Sequence, residues 1–289
     1  MKHTEKAAAK INLYLNVTAK RDDGFHEIES VMQTIDLCDI LHFELKPNAE
    51  TKIILTFSEP CDLPTDDKNL IVRAARAFLT AAGENAEVLI LLDKKIPMAA
   101  GLGGGSADAA ATLRALDAML PGRLSKAALL ELAAELGSDI PFCLSGGRAL
   151  CYGRGEETVA LPEKQIYYGV LANTDEVVST PKAYGLLDRI YNDFDGSVPL
   201  PPDLNTRDAI KDVLMGEIPP FYNIFEEAVL PLCPKAAHAK KLLSDIGADA
   251  AMMSGSGPSV FALSQNPSLA EKMKDALISQ GYKAVNFSF

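Results

Sequence analysis

The order of strand and helix signals along the chain predicts an α+β protein. Three observations carry that prediction. Residues 7–45 read as strand, one helical stretch separates strands at 51–57 and 87–93, and the second half mixes strands and helices without regular alternation. Within residues 7–45, the run Lys10-Ile11-Asn12-Leu13-Tyr14-Leu15-Asn16-Val17 alternates. It should turn Ile11, Leu13, Leu15 and Val17 toward a core and send Lys10 and Asn12 out of the opposite face as a polar pair. Asp22-Asp23-Gly24 marks a turn. A strand pair at 41–46 and 51–57 precedes a helix at 69–82, and the strand at 87–93 leads into a glycine-rich run. Strong helix formers follow from Asp108, and a further helix covers Lys126 to Leu136, with Ser125 as N-cap and Gly137 as a left-handed stop. The second half predicts strand 166–172, helices around 180–192, 206–215, 221–231 and 235–246, strands 249–253 and 258–264, helix 268–280 and strand 282–288. Residues 193–204 read as a surface excursion.

With 289 residues, 48% of them hydrophobic, the chain can bury a full core in one large or two modest domains. Lys10 interrupts any N-terminal apolar run before a signal sequence could form, and runs such as Val88-Leu89-Ile90-Leu91-Leu92 are strand-sized, so no membrane segment is expected. Five cysteines without a Cys-x-x-Cys pair argue against a disulfide framework and a zinc site, and fit a reducing cytoplasm. The four histidines show no ligand spacing. A formal net charge of −11 argues against nucleic acid as partner. A phosphorylated small molecule would have to be captured locally.

The run Pro97-Met98-Ala99-Ala100-Gly101-Leu102-Gly103-Gly104-Gly105-Ser106-Ala107 supplies a place for such capture. Residues without a Cβ let successive N–H groups turn toward one point, and the helix that follows adds orphan donors and the positive end of its dipole. Pro97 stiffens the entry and Ser106 places a hydroxyl at the helix start. No Gly-Lys pair occurs anywhere, which excludes a Walker loop, and the third glycine of a dinucleotide fingerprint would fall on Ser106. The His-Arg-Asp and Asp-Phe-Gly elements of protein kinases are absent.

Two further segments have two readings each. Asp139, in Gly137-Ser138-Asp139-Ile140-Pro141-Phe142, is either a turn residue ending a helix or an acid whose backbone is fixed for chemistry. Ser254-Gly255-Ser256-Gly257-Pro258-Ser259 is either a hairpin turn or a lid on a phosphorylated ligand.

Taken together, the run from Pro97 to Ala107, the Asp139 loop and the Ser254–Ser259 loop resemble, in order, the three motifs of the GHMP kinases. The resemblance spans essentially the whole chain. It implies a two-lobed fold: residues 1–160 would form an ATP-binding lobe like ribosomal protein S5 domain 2, and residues 161–289 a ferredoxin-like lobe. The block from Ala9 to Val17, with Lys20-Arg21-Asp22-Asp23-Gly24-Phe25-His26-Glu27 and Ile35-Asp36-Leu37-Cys38-Asp39, narrows the resemblance to members that phosphorylate a cytidine-diphosphate-linked polyol. By that resemblance ATP is the donor, with Mg²⁺ on the nucleotide and Ser106 as its protein contact. Asp139 would take the hydroxyl proton, with Lys10 beside it keeping the carboxylate ionised and neutralising charge in flight. Asn69, Lys94 and the run from Pro97 to Ala107 would hold the nucleotide. Asn12, Thr180, Gly255, Ser256 and Gly257 would hold the polyol and diphosphate. Phe25 and Tyr184 would enclose the cytosine while His26 reads its edge. Phe25 replaces a hydroxylated aromatic of many members, and Ala99, Ala100 and Ala107 stand where some members use glycine or serine. The resemblance also implies a cytoplasmic enzyme, monomeric or weakly dimeric.

The rival readings are another GHMP-type kinase, acting on mevalonate or homoserine, and a ligand sensor that keeps the fold without turnover. The Gly24-Phe25-His26 block opposes the first and the joint presence of Lys10 and Asp139 the second.

Overall fold

Two long strands open the chain, β1 (Lys2–Lys20) and β2 (His26–Pro47), in a computed structural model that describes residues 1–194, 214–215 and 217–289. The described residues fall into two units. One comprises Met1–Ala9, Leu37–Ile96 and Gly103–Gly146, the other Lys10–Asp36, Pro97–Leu102 and Gly147–Phe289.

In the first unit β3 (Lys52–Phe57), helix α1 (Leu70–Ala82) and β4 (Ala86–Asp93) form a crossover. β3 runs parallel to β4 from Lys52↔Glu87 to Phe57↔Leu92, and β2 pairs antiparallel with β4 from Ile40↔Asp93 to Pro47↔Ala86. The expected pairing of 41–46 with 51–57 is therefore incorrect, because β4 lies between them. A helical connection joins parallel neighbours, so β3 and β4 pair with each other. The apolar β4, with Val88 and Leu92 fully buried, takes the interior position. Residues 41–46 are simply the end of one 22-residue strand.

Asn69 caps α1, its Oδ1 accepting from the Ile71 N–H at 2.9 Å. Helix α2 (Gly104–Met119) starts four residues ahead of Asp108, so the glycines are themselves its first turn and Ser106 lies within that turn. A Cβ on Gly104 would come within 3.1 Å of Ile96 Cγ2 and 3.2 Å of Lys94 Nζ, an approach that only glycine permits without adjustment. The alanines of α2 are buried and let it pack closely on α1 and on α4 (Ile140–Ser145). Helix α3 (Lys126–Leu136) carries its Ser125 cap, but Gly137 has φ 172°, extended rather than left-handed as expected. The chain must straighten there to enter α4 almost at once. Arg114 braces α4 by donating to the Cys143 carbonyl at 2.7 Å, while its other nitrogens bond Glu5 and the Lys6 carbonyl.

In the second unit β5 (Arg148–Tyr152) pairs antiparallel with β2, from Ser30↔Cys151 to Gln33↔Arg148, and with β6 (Glu157–Leu161). Neither strand was expected, since both are five residues long and set among glycines. Next come β7 (Tyr168–Asn173), α5 (Thr180–Ile190), β8 (Tyr222–Asn223), α6 (Phe225–Val229) and α7 (Pro234–Ile246). β9 (Ala250–Met253), β10 (Val260–Ser264), α8 (Pro267–Ser279) and β11 (Lys283–Ser288) complete the chain. The order β11-β7-β10-β9, antiparallel in every pair, with α7 on β9 and β10 and α8 on β7 and β11, is the β-α-β-β-α-β arrangement of ferredoxin-like folds. The expected helix at 221–231 yields its first residues to β8, which pairs parallel with β1 at Tyr14↔Tyr222 and Leu15↔Asn223. Residues 206–213 of the expected helix at 206–215 and residues 195–204 of the excursion at 193–204 lie outside the described residues. Among the described residues no helix is long and apolar enough to cross a membrane.

Candidate active site

Strand β1 is buried on both faces, so Lys10 and Asn12 form an interior polar pair rather than an outward one. Lys10 is 5% exposed and Asn12 1%. Lys10 Nζ donates to Asn12 Oδ1 at 2.7 Å, Asn12 Nδ2 to Ser30 Oγ at 2.8 Å, and Ser30 Oγ to the Tyr14 carbonyl at 2.7 Å. A buried polar group is tolerated only with such partners, and Ser30 on β2 supplies the link that sequence reasoning missed.

Both glycine loops reach this lysine within the second unit. The Lys10 N–H donates to the Leu102 carbonyl at 3.0 Å, and Ser254 Oγ donates to the Gly101 carbonyl at 3.0 Å. A Cβ on Gly255 would come within 2.9 Å of the Gly101 oxygen and 3.4 Å of Lys10 Nζ. Gly101 has φ 72°, and a Cβ on it would lie 2.0 Å from the Ser254 carbonyl oxygen. Gly101→Ala must therefore displace one loop from the other. It is expected to lower kcat/KM by roughly 10²-fold, the scale of a 1 Å misplacement, as read by steady-state kinetics on a variant whose thermal midpoint shows it folded. Ala99 also adopts a left-handed conformation, φ 52°, which costs a residue with a Cβ about 1–2 kcal/mol.

The 254–259 loop is more than a tight turn. Asn223 Nδ2 donates to the Met253 carbonyl at 2.7 Å and to the Gly255 carbonyl at 2.8 Å, while its Oδ1 accepts from Phe225 N–H at 3.0 Å. Thr180 Oγ1 and Ser256 Oγ share a 2.9 Å hydrogen bond, which brings two predicted substrate residues together. Nearby in sequence to Thr180, the Tyr184 ring stacks on His26 with centroids 4.6 Å apart. His26 Nε2 lies 2.6 Å from Asp188 Oδ1, and Lys20 Nζ donates to Asp188 Oδ2 at 2.9 Å. Burial works to raise the Asp188 carboxyl, but hydrogen bonds from Lys20 and His26 outweigh it and hold the group below the usual range. Phe25 is exposed, with the Arg154 guanidinium 5.0 Å from its ring centre. Asn223, Asp188 and Arg154 escaped sequence reasoning, because nothing local to each residue announces a partner so distant in sequence.

In the first unit the opening turn of α2 is left without a side-chain cap, Gly103 standing at the N-cap. Its N–H groups and the Ser106 hydroxyl form a donor set suited to an anionic ligand. Lys94 Nζ donates to Asp39 Oδ2 at 2.5 Å and to Asp108 Oδ2 at 2.7 Å. Burial pushes the Asp108 carboxyl up to about 7 against the pull of Lys94, and its Oδ1 has no hydrogen-bond partner. The Asn69 carboxamide is engaged at both ends, since its Nδ2 donates to the Pro64 carbonyl at 2.8 Å while its oxygen caps α1. Asp139 occupies the N-cap position of α4 without a capping bond from its side chain, so α4 does not require its carboxylate.

Comparison with known proteins places this geometry. The model described as GHMP kinases N terminal domain matches residues 69–147, and the one described as GHMP kinases C terminal matches residues 209–284. A 4-diphosphocytidyl-2-C-methyl-D-erythritol kinase of Acaryochloris marina is 42% identical over 285 residues, covering 95% of this chain and 91% of the relative. The enzyme of that name from Listeria welshimeri is 41% identical over 281 residues, covering 96% and 92%. A solved 4-(cytidine 5'-diphospho)-2C-methyl-D-erythritol kinase superposes with a TM-score of 0.79 at 32% identity, covering 100% of this chain and 98% of that one. The matched domains and the near full-length relatives establish that the chain belongs to the GHMP kinase family.

Proposed function

We propose that the chain transfers the γ-phosphoryl group of ATP to the 2-hydroxyl of 4-diphosphocytidyl-2-C-methyl-D-erythritol, in the non-mevalonate route to isoprenoid precursors. The observation that carries this reading is the near-complete alignment, at about 40% identity, with relatives that bear that enzyme's name. The meeting of Lys10 with both glycine loops supports it. The hydroxyl oxygen forms a bond to the γ-phosphorus, the bond from that phosphorus to the bridging oxygen breaks, and ADP leaves. Asp139 takes the hydroxyl proton. Lys10 neutralises charge that builds on the transferring group, and its position, set by Asn12 and the Leu102 carbonyl, is ready before the reaction starts. Mg²⁺, when bound with the nucleotide, supplies further neutralisation of the phosphate oxygens. Ser106 is the residue of this chain that would touch it. In this reading Asn69, Lys94 and residues 97–107 hold the nucleotide, and the protein is a cytoplasmic enzyme, monomeric or weakly dimeric.

The cytosine end rests on His26, Tyr184 and Phe25. His26 is already oriented by Asp188, and its ring covers one face of Tyr184, so a base that stacks on Tyr184 there must displace or extend that stack. Substitution His26→Ala is expected to raise KM for the cytidine substrate by about tenfold or more, with kcat within threefold, because uniform binding is lost rather than transition-state stabilisation. Initial rates across substrate concentration give both constants. An unchanged KM would place the pyrimidine elsewhere.

A further inference from the structure

A buried acid to which the proposed chemistry gives no part lies where the chain approaches the first turn of α2. Asp39, on β2, is fully buried, and its carboxylate accepts three hydrogen bonds from residues 94–96. Its Oδ2 accepts from Lys94 Nζ at 2.5 Å, and its Oδ1 accepts from the backbone N–H groups of Lys95 at 2.5 Å and Ile96 at 2.8 Å. A carboxylate held away from water is tolerable only with such pairing, so the three bonds act as one fastening.

That fastening reaches the helix start through two contacts. The Ile96 side chain, 1% exposed, lies where a Cβ on Gly104 would meet its Cγ2 at 3.1 Å, and Lys94 Nζ lies 3.2 Å from the same point. Gly104 is the first residue of α2. Lys94 also bonds Asp108 one turn further along the helix. Two of the three ammonium donors are thereby fixed between β2 and α2, and the third keeps one allowed direction. A shift of residues 94–96 would move the ammonium and the glycine turn together.

From this geometry we infer that Asp39 is a positioning residue for ATP: it sets the Lys94 ammonium and the backbone at 95–96 so that the first turn of α2 presents its N–H groups to the nucleotide phosphates. The inference rests on the reading of the chain as an ATP-dependent kinase. It assigns Asp39 no contact with the acceptor, so the effect of its loss must fall on one substrate.

The test measures Mg·ATP binding by titration calorimetry without acceptor, KM for ATP and for the cytidine substrate, and the thermal midpoint, for wild type, Asp39→Ala and Asp39→Asn. Asp39→Ala is expected to raise the Kd for Mg·ATP by about tenfold or more, the scale of one lost charge-assisted hydrogen bond, and to leave KM for the cytidine substrate within about twofold. Asp39→Asn can still accept both backbone N–H bonds but loses the ion pair, so its Kd should rise by about threefold. A folded Asp39→Ala with Kd within twofold of wild type would overturn the inference, as would parallel rises in both KM values, which mark a general loosening of the fold. If Asp39→Ala does not fold, the Asp39→Asn protein decides: a rise confined to ATP supports the assignment, and no rise removes it. Wild type that fails to bind Mg·ATP at all would instead overturn the kinase reading on which the inference stands.

Discussion

Asp139→Asn is expected to leave a folded, nucleotide-binding protein whose kcat has fallen by about 10²–10⁴, the range that a positioned general base contributes. The substitution keeps the shape of the side chain and removes its negative charge together with its capacity to take a proton. Asp139 makes no capping bond to α4, and that helix is anchored by buried Ile140 and Phe142 and by Arg114 at its other end. Asparagine is also a favourable residue at an N-cap position. Thermal midpoint and Kd for Mg·ATP should therefore stay close to wild type while single-turnover transfer slows. A loss of less than about tenfold in a folded variant would mean that the proton leaves by another route, and the base would have to be reassigned.

Lys10→Ala should lower kcat by about 10²–10³, the scale of removing one preorganised donor from developing charge, and change either KM by less than about fivefold. The argument is one of placement. Lys10 is 5% exposed, and its ammonium is bonded to Asn12 and lies 3.4 Å from the point that a Cβ on Gly255 would occupy, so it is held in a low-dielectric setting where its charge counts most. Lys10→Arg should not restore the rate, since a planar guanidinium is larger than an ammonium and bonds with different geometry. Unchanged kcat with a raised KM would show a role in ground-state binding alone.

Much of this was legible from short-range pattern. Alternation at residues 10–17 placed Lys10 and Asn12 together on one face, and their 2.7 Å bond follows from it. The Ser125 cap and the glycine-run helix announce themselves within a few residues. What failed was what depends on distant partners. The pairing of β3 with β4 rather than with β2 is decided by the crossover through α1. β5 and β6 are too short and too closely flanked by glycines to stand out, and they form because β2 offers β5 an edge and β5 in turn pairs with β6. The start of α2 at Gly104 contradicts helix propensity, and close packing against Ile96 explains it. Asp39 and Asn223 look like any acid in a strand and any amide before a helix. Their roles are visible only once Lys94 and the 254–259 loop are set against them.

The most direct measurement is product formation. Purified protein would be incubated with Mg·ATP and, separately, with the cytidine-diphosphate-linked methylerythritol, mevalonate or homoserine, following ADP release and the mass and phosphorus NMR spectrum of each acceptor. The account predicts stoichiometric ADP and one added phosphoryl group on the 2-hydroxyl of the cytidine compound alone, lost in Asp139→Asn. Transfer to mevalonate or homoserine in its place, or Mg·ATP binding with no acceptor phosphorylated, would contradict it.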